Sequence, residues 1–501
     1  MIVLTLEQLA DVVGGELVDV ADARRRVDAV TIDSRTAAPG ALFVPLPGER
    51  ADGHDFIADA VVQGASGYLA AAGRPLPLAA AGAVVVDDPA DALLALGAWV
   101  RETVDPLAVG VTGSNGKTTT KDLIATAVGA DRAVVASAGS YNNELGVPLT
   151  LCRLEPSSEV LVAELGARGR GQIARLVPVV RPDIAVVTTV SGAHLEQFGT
   201  VDAVAVAKAE LVEGLRADGL AVLNADDHRV AAMAAHAPGR VATYGRGADA
   251  EWRAEDVELD AFARPRFRVR GQDVALPLPG EHNVGNAVAA LAVADACGVP
   301  LARAAQALEH AAVSRWRMEL RRTTDGVVVL NDAYNANPAS MEAALRTFAR
   351  MRVTGRRWAV LGRMAELGLT AEAAHDRIGR LVAQLGVDGL IVVVDPQRPE
   401  ATAIRAGAVR GTGARVPSGV PEGTLGRPPM ITDLVADPGE AVALLERRLR
   451  PGDAVLVKAS RAAGLERVAE GLLREGARLL DEGGGQGSTS GSVRRGRGPH
   501  T

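Results

Sequence analysis

Cysteine is scarce. Only Cys152 and Cys297 stand in a chain of 501 residues, too few for a disulfide framework. A cationic start is missing too: MIVLTLEQLADVVGGEL carries acidic residues and does not read as a secretory signal. No apolar run reaches the roughly 20 residues that span a bilayer. Positive charge is not in excess. The formal net charge is −7 and the pI lies near 5.7, which argues against a general nucleic-acid binder. Local arginines still leave room for anionic small substrates. These absences predict a cytosolic protein without an integral membrane segment. Hydrophobic content of 48% supports ordinary buried cores, and the length suggests about three domains.

The chain divides by pattern. Residues 1–103 mix short strands and helices, with VDAVTIDSR and GALFVPLPG as strand-like stretches. Over 104–314 strand and helix alternate; LAVGVT, EVLVAEL and DIAVVTTV are short apolar runs closed by Gly-rich or polar turns. Over 315–480 the alternation restarts with GVVVLNDA, RRWAVLG, GLIVVVD and DAVLVKAS. The predicted class is α/β, with a parallel sheet in each of the last two units. The Pro/Gly-rich stretch 395–429 predicts a surface loop. The tail 481–501 has little apolar surface to bury and predicts disorder.

One more absence sets the main question. The common nucleotide loop has a glycine six residues before its lysine; in VGVTGSNGKTTTKDLI that position is Val111. A shorter frame remains: Gly113, Ser114, Asn115, Gly116, Lys117, Thr118, with Thr119 following. Its context is right for phosphate binding. A strand ends at Gly113 and a helix-compatible run begins at Lys117, so backbone N–H groups and the helix dipole converge on one point. The glycines allow close backbone approach, Lys117 adds charge near terminal phosphates, and the Thr118 hydroxyl suits Mg²⁺. In open α/β sheets, ligands sit beyond the carboxyl ends of the strands. EVLVAEL puts Glu164 at such an end, and DIAVVTTV leads to His194. A carboxylate and an imidazole there suit a divalent ion bridging nucleotide oxygens.

TGSNGKTTT, followed by SYNNELGVPLTL, AELGARGRGQI, GAHLEQFGTVDAVAVAKAEL and GEHNVGNAVAAL, resembles the Mur ligase family. TIDSRTAAPGALFVPLPGERADGHDF, NDAYNANPASM and LGRMAELG extend the likeness over roughly residues 25 to 475. The resemblance implies a nucleotide-sugar domain (1–103), a central ATP-binding domain (104–314) and a C-terminal Rossmann-like domain (315–480). It implies an ATP-dependent amide ligase that activates a carboxylate as an acyl phosphate, with ATP and Mg²⁺ as cofactors. Within the family, NDAYNANPASM and LGRMAELG point to UDP-N-acetylmuramoyl-tripeptide and D-alanyl-D-alanine as substrates; a monomer is expected, although the sequence itself does not give the oligomeric state.

Residue roles follow from the same likeness. Thr118, Glu164 and His194 match metal ligands. Spacing alone reads Lys208 as a solvated helix lysine near Glu210. The family pattern makes it a carbamylated lysine supporting a second Mg²⁺. Asn283 and Asn286 match ATP-site asparagines, although they equally suit a helix cap. Arg317 and Asp332 match ATP contacts from the C-terminal domain. Lys458, Ser460 and Arg461 match a motif facing the active site. Asn335 and Asn337 suit a turn as well as substrate contact. Ser34 and Arg35 match contacts to the uridine diphosphate sugar, and Asn142 and Asn143 match contacts to the peptide end or metal region. Two residues depart from the pattern: Arg363 replaces an acidic or small polar residue, and Ala459 replaces a glycine. Other readings stay open: another amino-acid-adding ligase of the family, a nucleotide-driven switch or motor, or an inactive binding subunit. NANPAS, in place of an Asn-Pro-Arg-type motif, favours the dipeptide-adding branch.

Overall fold

Leu107–Thr112 is an apolar strand buried almost throughout, as a strand covered on both faces must be. It lies between Val160–Glu164 on one side and Ile184–Val187 on the other, parallel to both. Val134–Ala136 lies beyond the first, and Leu220–Asn224, Arg240–Gly245 and Trp252–Arg253 follow the second, giving a seven-stranded parallel sheet. The connections leave Leu107–Thr112 toward opposite sides, so its carboxyl end is a topological switch point, where such sheets bind ligands. The structure, a computed structural model, describes residues 1–18, 22–48, 51–76, 81–412, 430–473 and 478–479. No helix among them is long and apolar enough to cross a membrane.

Two more sheets flank this one. At the N-terminal side the strand order is Glu16–Val18, Gly82–Val86, Gly67–Ala71, Ala41–Phe43, Ala29–Thr31, with only Glu16–Val18 antiparallel to its neighbour. At the C-terminal side the order is Ile431–Val435, Gly389–Val393, Arg357–Leu361, Ala454–Lys458, Val328–Asn331, Glu319–Arg322, Arg478–Leu479. Glu319–Arg322 runs antiparallel to both its neighbours. The α/β class and the three-part architecture are as the sequence predicts.

The cores differ in how they are shared. One continuous cluster joins N-terminal residues such as Leu6, Leu42, Leu96 and Val100 to Val147, Leu161, Leu176 and Leu211 on one face of the central sheet. Arg101, buried on helix Pro89–Val104, strengthens that junction. Its Nε donates to Val180 O at 2.9 Å and its Nη2 to Arg181 O at 3.3 Å, the last carbonyls of helix Gln172–Val180. The C-terminal sheet has a core on each face, and one of them takes in only Ala263, with Leu259 and Phe262 packed against it, from the central unit.

Two features differ from expectation. Part of the predicted 395–429 loop is helical: Thr402–Thr412 packs against Ala371–Gln384, with Ala403, Ile404, Gly407 and Ala408 buried. Its glycines serve close packing, since a Cβ on Gly407 would lie 2.1 Å from Asp376 O. Residues 413–429 and the tail 481–501 fall outside the described residues. A small antiparallel sheet, Glu255–Leu259, Pro265–Val269 and Gln272–Ala275, also emerges. Its middle strand alternates buried and exposed residues, PRFRV, and the arginines on the outer face mask its strand character in sequence.

Candidate active site

The phosphate loop is shaped by contacts its sequence requires. Gly113 sits at φ 141°, and a Cβ there would lie 2.0 Å from Thr188 Oγ1. That hydroxyl donates to Asn115 O at 2.6 Å, and Ser114 N donates to Thr189 O at 2.7 Å, so the strand end after Val187 braces the loop. Gly116, at φ 81°, opens helix Lys117–Val128, and no side chain caps that helix. Its first amides are therefore left for a ligand. Lys117 Nζ donates to Gly113 O at 2.7 Å, curled over its own loop. Thr118 is buried with its hydroxyl 3.0 Å from Ser140 Oγ, and Thr119 lies beside it, half-buried.

A charged cluster surrounds Lys117. Burial lowers the Lys117 pKa; Glu164 nearby opposes that and Arg317 adds to it. Glu164 is 1% exposed at the end of its strand. Its Oε1 accepts from Asn142 Nδ2 at 2.7 Å, while its Oε2 is buried without a partner. Lys208 is 3% exposed on helix Val201–Glu213, not solvated as its spacing suggests. Burial, reinforced by Lys117, brings its pKa down to about 7, against the pull of Glu210 and Glu164. His194 is held low chiefly by burial, with Lys117 and Lys208 adding to the effect and Glu366 opposing it. Its Nδ1 pairs with the Glu366 carboxylate.

These residues fit a divalent ion in one telling respect. An orphaned carboxylate oxygen is costly when buried, and Glu164 Oε2 is such an oxygen, without a partner among the described residues. Hard oxygen donors with one imidazole suit Mg²⁺. Glu164, Thr118 and His194 are the residues that would hold it.

The C-terminal unit reaches the same place. Arg317 Nη2 donates to Ser140 Oγ at 2.8 Å, its guanidinium stacks on Tyr334 at 4.1 Å, and its buried Nε has no partner. Asn337 Nδ2 donates to Asn115 Oδ1 in the phosphate loop at 2.7 Å. Asn337 also caps helix Pro338–Arg350, so the turn role and the site contact coexist. Asp332 pairs with buried Lys458 at 2.5 Å. Lys458 also donates to Asn335 O at 3.0 Å. Ser460 Oγ accepts from Ala365 N at 2.8 Å, and Arg461 stacks on Trp316 at 4.3 Å while pairing with Glu466. Asn286 bridges Thr120 Oγ1 at 3.1 Å and Asn283 Oδ1 at 2.9 Å beneath Gly116. Asn283 donates to Pro279 O at 2.8 Å, and His282, not Asn283, holds the cap position of helix Asn283–Ala296.

Other predicted residues stand apart. Ser34 and Arg35 lie in a short turn of the N-terminal unit, with Arg35 paired to Asp33 and mostly exposed. That pairing brings the Asp33 carboxyl down to about 2. Asn143 Oδ1 accepts from Gly146 N at 2.9 Å and shapes the turn before helix Gly146–Leu151. Arg363 pairs with Glu400, which accounts for its charge locally. Sequence reasoning missed Ser140, Glu366, Tyr334 and His282. Glu366 lies inside LGRMAELG, but nothing in that motif signals a partner on another unit.

A three-part α/β chain with a capless phosphate loop and a buried carboxylate, a buried lysine and a half-buried imidazole near it defines a nucleotide-dependent catalyst. Family profiles match it in order: "Mur ligase family, catalytic domain" over residues 26–102, "Mur ligase middle domain" over 111–294 and "Mur ligase, glutamate ligase domain" over 316–461. The chain belongs to the Mur ligase family. It is 43% identical to the UDP-N-acetylmuramoyl-tripeptide–D-alanyl-D-alanine ligase of Mycobacterium tuberculosis, covering 95% of this chain and 98% of that one. It is 35% identical to the Escherichia coli ligase of the same name, covering 95% and 100%. Among solved structures, MurF from Acinetobacter baumannii matches with a TM-score of 0.79 at 28% identity, covering 94% and 99%. MurF ligase from Thermotoga maritima in complex with ADP matches with a TM-score of 0.73 at 27% identity, covering 90% and 98%.

Proposed function

We infer that the protein is an ATP-dependent, ADP-forming amide ligase. It joins D-alanyl-D-alanine to UDP-N-acetylmuramoyl-tripeptide in peptidoglycan precursor synthesis. The carrying observation is near full-length similarity to ligases of that name, in a chain that keeps the phosphate loop and its buried partners.

The chemistry explains the residue types. A carboxylate is a poor electrophile, so its oxygen first takes the γ-phosphoryl group of ATP and ADP leaves. The dipeptide amine then attacks the acyl phosphate. The tetrahedral adduct collapses, losing phosphate and a proton, and the amide remains. Phosphoryl transfer asks for positioning and charge neutralisation. The free amides after Gly116 and the Lys117 ammonium are placed for the phosphates, and Arg317 adds a cation from the C-terminal unit. Gly113, Ser114, Asn115, Thr119, Asn283, Asn286 and Asp332 shape the nucleotide site. Thr118, Glu164 and His194 would hold Mg²⁺, which would supply charge neutralisation at the phosphates. A Lys208 amine with a pKa of about 7 is substantially neutral at physiological pH, the form that reacts with CO2, and this supports carbamylation. A carbamate there turns a cation beside the metal pocket into an anion.

The unit boundaries 1–103, 104–314 and 315–480 belong to the same proposal. So do Ser34 and Arg35 at the nucleotide sugar, Asn142 and Asn143 at the peptide end, and Asn335, Asn337, Lys458, Ser460 and Arg461 near the incoming dipeptide. A cytoplasmic monomer is proposed. The test is ADP release with UDP-N-acetylmuramoyl-tripeptide, with and without D-alanyl-D-alanine. Release that depends on the dipeptide and yields the amide is expected. Robust ATP turnover without any amine would favour a switch or motor, and turnover with a single amino acid alone would favour another branch of the family.

A further inference from the structure

We propose that Glu366 is a positioning residue for His194, and that it makes the metal pocket of the central unit dependent on docking of the C-terminal unit. The inference rests on the ligase reading above. His194 and Glu366 both adopt left-handed backbone, at φ 56° and 60°. Non-glycine residues rarely do so, and such strain persists only where surroundings hold it. The two segments grip each other. Glu196 N donates to Glu366 O at 3.2 Å, and a Cβ on Gly368 would lie 3.5 Å from Glu196 Cα. Within this grip the Glu366 carboxylate accepts the Nδ1–H of His194. Arg168 stands 3.7 Å from its other oxygen.

That hydrogen bond has a chemical consequence. With the proton held on Nδ1, the lone pair stays on Nε2. Nε2 makes no hydrogen bond among the described residues. A carboxylate behind a metal-binding imidazole fixes its tautomer and orientation and raises its basicity. Lys117 and Lys208 also act on the ring electrostatically, and among the described residues neither makes a hydrogen bond to it. Among the described residues Glu366 is the one hydrogen-bond partner of the ring's Nδ1–H, and it belongs to the other unit. The imidazole is correctly set only when the C-terminal unit is seated.

The test uses the full chain, Glu366→Ala and Glu366→Gln. One readout is the ¹⁵N spectrum of His194, assigned with His194→Gln, with ADP present and magnesium withheld. The other is the magnesium concentration giving half-maximal ligation. In the wild type a single Nδ1–H tautomer is expected. Glu366→Ala should mix the tautomers and raise the half-saturating magnesium concentration by about 10-fold or more, with a smaller fall in kcat at saturating magnesium. Glu366→Gln keeps an accepting oxygen and should stay near the wild type. An unchanged tautomer and magnesium requirement in folded Glu366→Ala overturns the proposal. Equal impairment of both variants at unchanged magnesium requirement also overturns it, since that marks a loop-packing role. If the wild type makes no amide from the proposed substrates, the ligase reading fails, while the tautomer comparison still decides the role of Glu366.

Discussion

Lys117 and Lys208 are two lysines in one pocket with opposite requirements. Lys117 must be a cation where phosphate charge develops. Lys117→Ala should therefore cost about 10²-fold or more in ligation rate, with the melting temperature kept; wild-type product formation in a folded variant would remove the assignment. Lys208 is better buried neutral. Its folded pKa of about 7 lies below the ordinary 10.5, so between these values the unfolded chain binds more protons and stability rises with pH. Below pH 7 the wild type carries the full cost of burying the charge. In bicarbonate-free buffer, Lys208→Met should stabilise the protein by more than about 1 kcal/mol at pH 6. The advantage should shrink toward pH 10, as thermal unfolding at the two pH values would reveal. The loop and Glu164 were legible in the sequence because glycines, a lysine and a strand end have local signatures. The burial of Lys208 was not, because its helix is built mostly of Ala and Val with weak polarity of faces.

At the scale of elements, the strand–loop–helix unit is where sequence and structure agree most closely. Leu107–Thr112 and Lys117–Val128 coincide with the predicted strand and helix. Local periodicity and glycine placement fully specify them. The bracing by Thr188 and Asn286 depends on residues far along the chain, which periodicity does not encode. It makes the loop intolerant of added atoms. Gly113→Ala would force a Cβ into Thr188 Oγ1 at a positive φ. Nucleotide affinity should fall about 10-fold or more, with a destabilisation of about 1–3 kcal/mol. Calorimetric ADP binding and thermal melting check both; unchanged affinity would mean that the loop has slack. The small sheet around Pro265–Val269 was missed because four arginines, Arg264, Arg266, Arg268 and Arg270, lie in and beside a half-buried strand.

For the whole molecule, the distribution of cores predicts which part moves. The N-terminal and central units share a broad core, whereas the C-terminal unit takes only a small apolar patch of the central unit, Leu259, Phe262 and Ala263, into its core and meets the phosphate loop through polar contacts such as Arg317–Ser140 and Asn337–Asn115. Seating that unit excludes water from a reactive acyl phosphate. Small-angle scattering should register a smaller radius of gyration on adding a non-hydrolysable ATP analogue and both substrates. An unchanged radius at confirmed saturation would count against the movement. Three units were legible from the restarting strand–helix alternation, but the unequal bonding between them was not, since it arises from contacts between distant segments.

The Arg101 junction turns the molecule into a gauge. Its guanidinium fastens helix Pro89–Val104 to the end of helix Gln172–Val180, so the N-terminal and central units behave as one block. A precursor anchored in the N-terminal unit, as proposed above, would then present its carboxylate to the phosphate loop at a set reach. On that proposal a precursor one residue shorter should turn over more slowly even at saturation, because the block does not bend to bring it closer, and an equal kcat for the two lengths would overturn the idea.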